Sequence, residues 1–293
     1  AITAALVTMV FWGGTAVANR YAVAFLDPIV VAALRSMLAG MLALVVALAL
    51  RLQFPKGSHD RLLLLISGIT SFALWPIFIS VGLARTTASH AALIMATLPI
   101  VTVLLAAFLN RSAPPRTWWL GAAAAFVGAA WLILDQGASL AVDDPRSAAI
   151  GDLIILTGCF VCASGYVAGG KLAPKIGAFA TTFWGLATAL IVTVPLFALN
   201  QHGSDWAGMS MSAWAAIAWM TLCSSFFGYL LWFYALGRGG IERIGSLQLL
   251  MPIFTLTGAV LVLDEVLTPR LVALSVLVLA GTVIAHRHSS RDK

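Results

Sequence analysis

The chain is 293 residues long, 61% hydrophobic and 10% charged, with a mean hydropathy of +1.00 and a formal net charge of +6. Soluble domains are about 45–50% apolar and about 25% charged, so an aqueous fold would run short of polar surface here. The apolar runs are continuous rather than alternating, which also excludes a membrane β-barrel and leaves an all-α polytopic membrane protein.

About 20 apolar residues cross a bilayer as a helix. On that length the sequence predicts ten transmembrane helices, at roughly 2–21, 28–50, 62–83, 88–109, 117–134, 149–170, 178–199, 213–236, 243–263 and 269–286. The opening AITAALV lacks the basic n-region of a cleavable signal peptide. The first span carries Phe11-Trp12-Gly13, and Asp27-Pro28 opens the second, which contains Arg35. Arg35 is the strongly charged residue well inside an apolar run, where burial costs at least ~2.5 kcal/mol. It must face the interior and meet a carbonyl, a carboxylate or substrate; anchoring and substrate binding both satisfy it.

Trp75 lies deep in the third span and His90 near the outer end of the fourth. His90 suits proton sensing or carboxylate binding, or sits satisfied at the interface. Pro99 and Pro252 fall near the middle of spans four and nine, where proline removes a helical hydrogen bond and strains the backbone. The carbonyls freed lie four residues earlier, on Met95 and Gln248, and must be satisfied by protein, water or ligand. Such paired breaks point to a transporter site and make both prolines candidate hinges. Ser246 and Gln248 are available to hydrogen-bond substrate or another helix. Trp12, Trp75, Tyr166, Tyr229 and Trp232 sit deep enough to line a cavity that stacks a planar or apolar solute. Trp118, Trp119, Trp206 and Trp214 fall near span ends and suit the interfacial aromatic belt.

The stretch GYVAGGKL, Gly165 to Leu172, is one residue short of a phosphate-binding loop, with Leu172 where Ser or Thr should stand. That motif needs a preceding strand and a Mg²⁺-binding hydroxyl, and this one lies inside a span. Gly165 and Gly169 read instead as a small-xxx-small helix contact. The cysteines Cys159, Cys162 and Cys223 all lie in apolar spans, which favours packing over redox or metal chemistry.

With the N-terminus in the cytoplasm, the inner connections carry twelve Lys and Arg and the outer ones only Arg20, Arg85, Arg146 and Arg270. This bias places both termini in the cytoplasm. The outer loop from Asp135 to Asp152 holds four Asp and one Arg. A separation of 153 residues pairs Leu83 with Leu236, Arg85 with Arg238, Pro99 with Pro252, Ile100 with Ile253, Thr102 with Thr255 and Gly128 with Gly281. Five spans per half turn the second copy over in the membrane, giving inverted repeats. The halves run 1–135 and 149–293, joined by an outer linker at 136–148, with a short cytoplasmic tail at the end.

Phe11-Trp12-Gly13, Asp27-Pro28 with Arg35, GLARTTASHAALIMATLPI from Gly82, LMPIF from Leu250 and Asp264-Glu265 with Pro269 together resemble EamA-type members of the drug/metabolite transporter superfamily. One departure is Asn110-Arg111-Ser112 in the first half, where the second has Glu265. The resemblance implies a bacterial-type inner-membrane carrier exporting small metabolites, aromatic or apolar amino acids first, by alternating access around a central cavity. Its partners would be a small-molecule substrate and membrane lipid, with no nucleic acid, no nucleotide and no cofactor, and a monomer would suffice. No Asp or Glu falls mid-span, which favours a facilitator over proton antiport of cationic drugs. A channel or a membrane sensor is the alternative of another class. No metal set and no catalytic set of residues stands out, so an enzyme is not expected.

Overall fold

The computed structural model describes residues 1–111, 113–134, 144–239, 247 and 250–289. Every regular element among them is helical. Among the described residues eight stretches are long and apolar enough to cross a membrane, and two shorter helices, Met251–Leu263 and Pro269–Ala285, are also apolar.

Helix α1 is Ile2–Ala22 and α2 is Pro28–Ala49. Asp27 fixes the start of α2: its carboxylate accepts from the N–H groups of Ile29 (2.8 Å) and Val30 (3.3 Å), and Pro28 occupies the first turn, where no N–H is needed. The third stretch is α3, Ser58–Ser67, a π-helical segment Gly68–Leu74, and α4, Trp75–Leu83. The fourth is broken into α5, Ala88–Met95, and α6, Leu98–Asn110. Helix α7 is Arg116–Leu134 and α8 is Pro145–Ile176. Helix α9, Ala178–Thr188, and α10, Leu190–Asn200, make up one span interrupted at Ala189. Helix α11, Met211–Ala218, passes through a second π-helical segment, Trp219–Phe227, into α12, Gly228–Gly239. Helices α13, Met251–Leu263, and α14, Pro269–Ser289, close the chain.

Local structure recurs at the 153-residue separation. The two π segments end just before Trp75 and Gly228. Helices α6 and α13 have the same length and register, each with its proline in the first turn. Each ends in a left-handed residue, Arg111 (φ 51°) and Asp264 (φ 53°).

Apolar surface gains nothing by moving from lipid to a neighbouring helix, so close van der Waals contact and hydrogen bonds hold the bundle together. Small residues make that contact. A Cβ on Gly13 would stand 2.6 Å from Phe254 Cβ, so α13 lies directly on α1, and Thr255 Oγ1 donates to Gly13 O at 2.9 Å across the same seam. Gly121 of α7 and Gly281 of α14 bring those backbones together, since a Cβ on Gly281 would meet Gly121 O at 2.7 Å. Gly165 and Gly169 of α8 admit the side chains of Ser67, Thr70 and Ser71. GYVAGGKL is therefore a helix-packing face, as its glycine spacing suggests, and α8 continues past Lys171 to Ile176.

Three sequence expectations change. Pro99 and Pro252 do not sit inside continuous helices: each opens a new helix in the first turn, where its missing N–H costs nothing. The break before Pro99 is supported by Thr97, whose Oγ1 donates to Ile94 O at 2.7 Å, and by Thr282, whose Oγ1 donates to Ala96 O at 3.3 Å. Trp118 is not in an interfacial belt: it is 1% exposed, packed with Ile100, Ala122, Ala125 and Ala285, while its neighbour Trp119 is 50% exposed. Asp152 is not in an outer loop, because α8 begins seven residues earlier on Asp144 and Pro145 and carries Asp152 into the interior.

Candidate functional site

Two polar groups are buried in this apolar bundle, and one lies against an aromatic wall. Arg35, on the eighth residue of α2, is 7% exposed. Its Nη1 reaches the Met220 thioether at 3.4 Å, a weak acceptor. Its Nε has no partner, and among the described residues no carboxylate lies within ion-pair distance. Asn19 on α1 and Thr221 on the second π segment, elements packed on one another, also keep buried side-chain polar atoms without partners. Buried polar groups are nearly always paired in native structures, so these orphans on adjoining elements are unusual.

Tyr229 connects Arg35 to the aromatic side chains. Arg35, Tyr229 and Tyr166 lie near enough for their charges to influence one another. The Trp12 ring meets Tyr229 edge-on (centroids 5.4 Å apart) and tilts against Trp232 at 5.4 Å, and Phe72 abuts Tyr229 at 5.3 Å. Tyr166 lies on the same stripe of α8 as Ile155, Cys159, Cys162 and Gly169, which is the buried stripe, yet it is 38% accessible. The space it touches is therefore on the protein side of the helix.

The second π segment holds this wall in place. Trp12 Nε1 donates to Ser224 O at 3.0 Å, Trp219 Nε1 donates to Phe11 O at 3.2 Å, and Thr15 Oγ1 donates to Ser224 Oγ at 2.8 Å. Gly228 gives Trp12 room, for a Cβ there would stand 2.8 Å from the indole nitrogen.

Of the residues proposed from sequence, Trp12, Arg35, Tyr166, Tyr229 and Trp232 are brought together. Trp75 and Met95 pack elsewhere, in the cluster of Ile79, Leu83, Ile94, Ile155 and Cys159. Ser246 and Gln248 lie outside the described residues. Met220, Phe72, Asn19 and Thr221 were missed, since nothing in the spacing distinguishes them from packing residues.

His90 belongs to the second polar group. Its Nδ1 lies 2.9 Å from Asp152 Oδ2, and Thr86 Oγ1 donates to Asp152 Oδ1 at 2.6 Å. The exposures are 1% for His90 and 0% for Asp152. Glu265, also buried, accepts from Ala88 N at 2.7 Å and Ser89 N at 3.0 Å, while Thr87 Oγ1 takes His90 N at 3.2 Å. Two carboxylates are buried at this end, Asp152 in the second turn of α8 and Glu265 in the α13–α14 turn, and His90 is not solitary. Asp152 had a signal: it shares the spacing i, i+3, i+7, i+10 with Ile155, Cys159 and Cys162, the buried stripe of α8. Nothing in the sequence shows that the α13–α14 turn folds back on α5.

Residues 1–134 and 149–286 each match the EamA-like transporter family, and the chain belongs to that family. It is 29% identical over 279 residues to the uncharacterized transporter YdeK of Bacillus subtilis (strain 168), covering 95% of this chain and 94% of that one. Proteins named as probable amino-acid metabolite efflux pumps are 26% identical in Salmonella typhimurium and 27% in Escherichia coli, each covering 96% of this chain and 92% of the relative. A solved structure titled "Crystal structure of protein" superposes with a TM-score of 0.63 over 97% of this chain and 95% of that one, at 19% identity, a likeness of fold alone.

Proposed function

We propose that this member of the EamA-like family exports small metabolites, first among them amino acids with aromatic or apolar side chains, binding them in the space between Arg35 and the Trp12–Tyr229–Trp232 wall. The observation that carries the reading is the buried Arg35 guanidinium, with no described carboxylate partner, in contact with Met220 of the same π segment that seats Trp12. A guanidinium offers planar paired donors to a carboxylate, and ring edges and faces accept an apolar side chain. Two relatives are named probable amino-acid metabolite efflux pumps, which supports the broader class to which these substrates belong.

Transport follows alternating access. Two five-helix halves of inverted topology, ten helices in all, rock about the breaks before Pro99 and Pro252; the recurrence of local structure at 153 residues supports the repeat. The arginine and lysine bias supports cytoplasmic termini in a bacterial-type inner membrane. The site sits near the bilayer midplane in this reading, as in other repeat-built carriers.

The test is uptake of labelled Phe into proteoliposomes by wild type, Arg35→Gln and Trp12→Ala, each checked for monodispersity. Saturable wild-type flux that falls at least tenfold in Arg35→Gln agrees with the assignment. Absence of saturable flux overturns the substrate class, and variants that move Phe at the wild-type rate overturn the site.

A further inference from the structure

We propose that Glu265 is a positioning residue that holds the outer end of the carrier shut, and that the lack of its equivalent in the first half biases the resting protein toward the state open to the cytoplasm. The proposal rests on the alternating-access reading with both termini in the cytoplasm; its experiment probes the two sides separately, so that proposal and reading fail in different ways.

Helices α6 and α13 end alike, on the left-handed residues Arg111 and Asp264, 153 positions apart. The next residue differs: Ser112 in the first half, Glu265 in the second. The backbone at Glu265 is tied to its own helix, since its N–H donates to Ala259 O at 3.1 Å. From that turn the side chain reaches α5, where its two oxygens take Ala88 N at 2.7 Å and Ser89 N at 3.0 Å. A carboxylate suits the positive end of a helix dipole, whereas a serine hydroxyl is shorter and uncharged. In the inverted arrangement the first half therefore brings no such carboxylate to the opposite end of the bundle.

Helix α5 is the element that this cap controls. It is eight residues long, with Glu265 at its start and the break at Ala96–Thr97 at its end. Its first turn and the residue before that turn also meet α8: Thr86 Oγ1 donates to Asp152 Oδ1 at 2.6 Å, and His90 Nδ1 lies 2.9 Å from Asp152 Oδ2. Beside them α4 and α8 touch through glycines, for a Cβ on Gly151 would stand 2.8 Å from Gly82 O. Thr86 to His90 belong to the first family-matched segment, Asp152 and Glu265 to the second. The start of α5 is thus gripped by two elements of the other half, and with the termini in the cytoplasm this is the outer end. A swing of α5 about the break takes Ala88 N and Ser89 N away from Glu265 and hands all three groups to water. The cap therefore favours the closed form alone, and only such a difference between two states moves their ratio. At the low end of its range, one hydrogen bond to a charged group changes that ratio by about a factor of ten.

Side-selective labelling tests this. Tyr166, which touches the interior space, is replaced by Cys in a protein freed of native thiols by Cys159→Ala, Cys162→Ala and Cys223→Ser. A membrane-impermeant methanethiosulfonate then approaches from outside in intact cells and from the cytoplasmic side in inside-out vesicles. The expected result is faster labelling in vesicles than in cells. Glu265→Ala should raise the rate in cells by about tenfold or more without raising it in vesicles. Glu265→Gln keeps one acceptor, should fall between, and carries the test where Glu265→Ala does not fold. A general loosening of the fold raises both rates, and that result overturns the proposal. So does faster labelling in cells before any change at Glu265, or a rate in cells that neither variant alters in monodisperse protein. In that last case labelling in vesicles leaves the alternating-access reading in place. A Tyr166→Cys protein labelled from neither side overturns both.

Discussion

Replacing Glu265 by Ala should loosen the start of α5 more than any comparable change at an exposed helix end. An α-helix leaves its first N–H groups without internal partners. Here Ala88 N and Ser89 N both donate to the Glu265 carboxylate, at 2.7 and 3.0 Å, and His90 N is taken by Thr87 Oγ1. Ala91 N donates to Thr87 O at 3.1 Å, so every amide of the first turn is satisfied in the interior. A hydrogen bond to a charged group contributes about 1.5–3 kcal/mol net, so losing two costs roughly 3 kcal/mol at the low end. Glu265→Gln keeps one oxygen acceptor and sets an NH₂ against the other amide, which should cost about half as much. Amide hydrogen exchange of a peptide spanning residues 88–91 reads this locally: about 1.4 kcal/mol is a factor of ten, so exchange should speed up about 100-fold in Glu265→Ala and about tenfold in Glu265→Gln. Exchange within threefold of wild type in a folded Glu265→Ala protein would refute the account, and equal effects of Ala and Gln would show that carboxylate geometry is not what holds α5.

Adjacent tryptophans should differ sharply. Trp118→Ala empties a buried site and should cost about 3–5 kcal/mol, whereas Trp119→Ala on the exposed side should lower the melting temperature little; similar shifts would contradict the burial. Gly13→Val forces α13 off α1 and should prevent a monodisperse protein, while Gly170→Ala, with open space around its Cβ position, should leave the size-exclusion profile unchanged. Trp12→Phe keeps a ring against Tyr229 but removes the donor to Ser224 O, so about 1–3 kcal/mol of stability should go with Phe affinity changed less than in Trp12→Ala. The exposed Lys175–Asp60 pair is worth at most about 1 kcal/mol, so Lys175→Ala should leave thermal stability in moderate salt unchanged within error.

Composition and hydropathy alone determined that this chain is an apolar, all-helical membrane protein, because a bilayer forces every backbone polar group to be satisfied within its own segment. The pairing of prolines and arginines at 153 residues was also legible, and the local structure of α6 and α13 recurs at that separation. The deep aromatics and Arg35 could be nominated by type, because burying a guanidinium or a tryptophan is informative in any fold. What the sequence could not decide was which of them meet. Trp75 and Met95 have the same credentials as Trp12 and Tyr229, yet pack in a different cluster, because the choice depends on which face of α1 the second π segment presses against. The π segments themselves were invisible, since a single added residue per turn leaves composition and hydropathy unchanged. Asp152 passed for a loop residue because α8 starts earlier than hydropathy suggests, and His90 looked solitary because its partner lies 62 positions away. Glu265 stood out only as an acid that the first half lacks. Only the packing of the α13–α14 turn onto α5 turns it into the cap of another helix. A one-dimensional pattern records what each residue would cost if buried; which distant residue offsets that cost is settled by the three-dimensional contact.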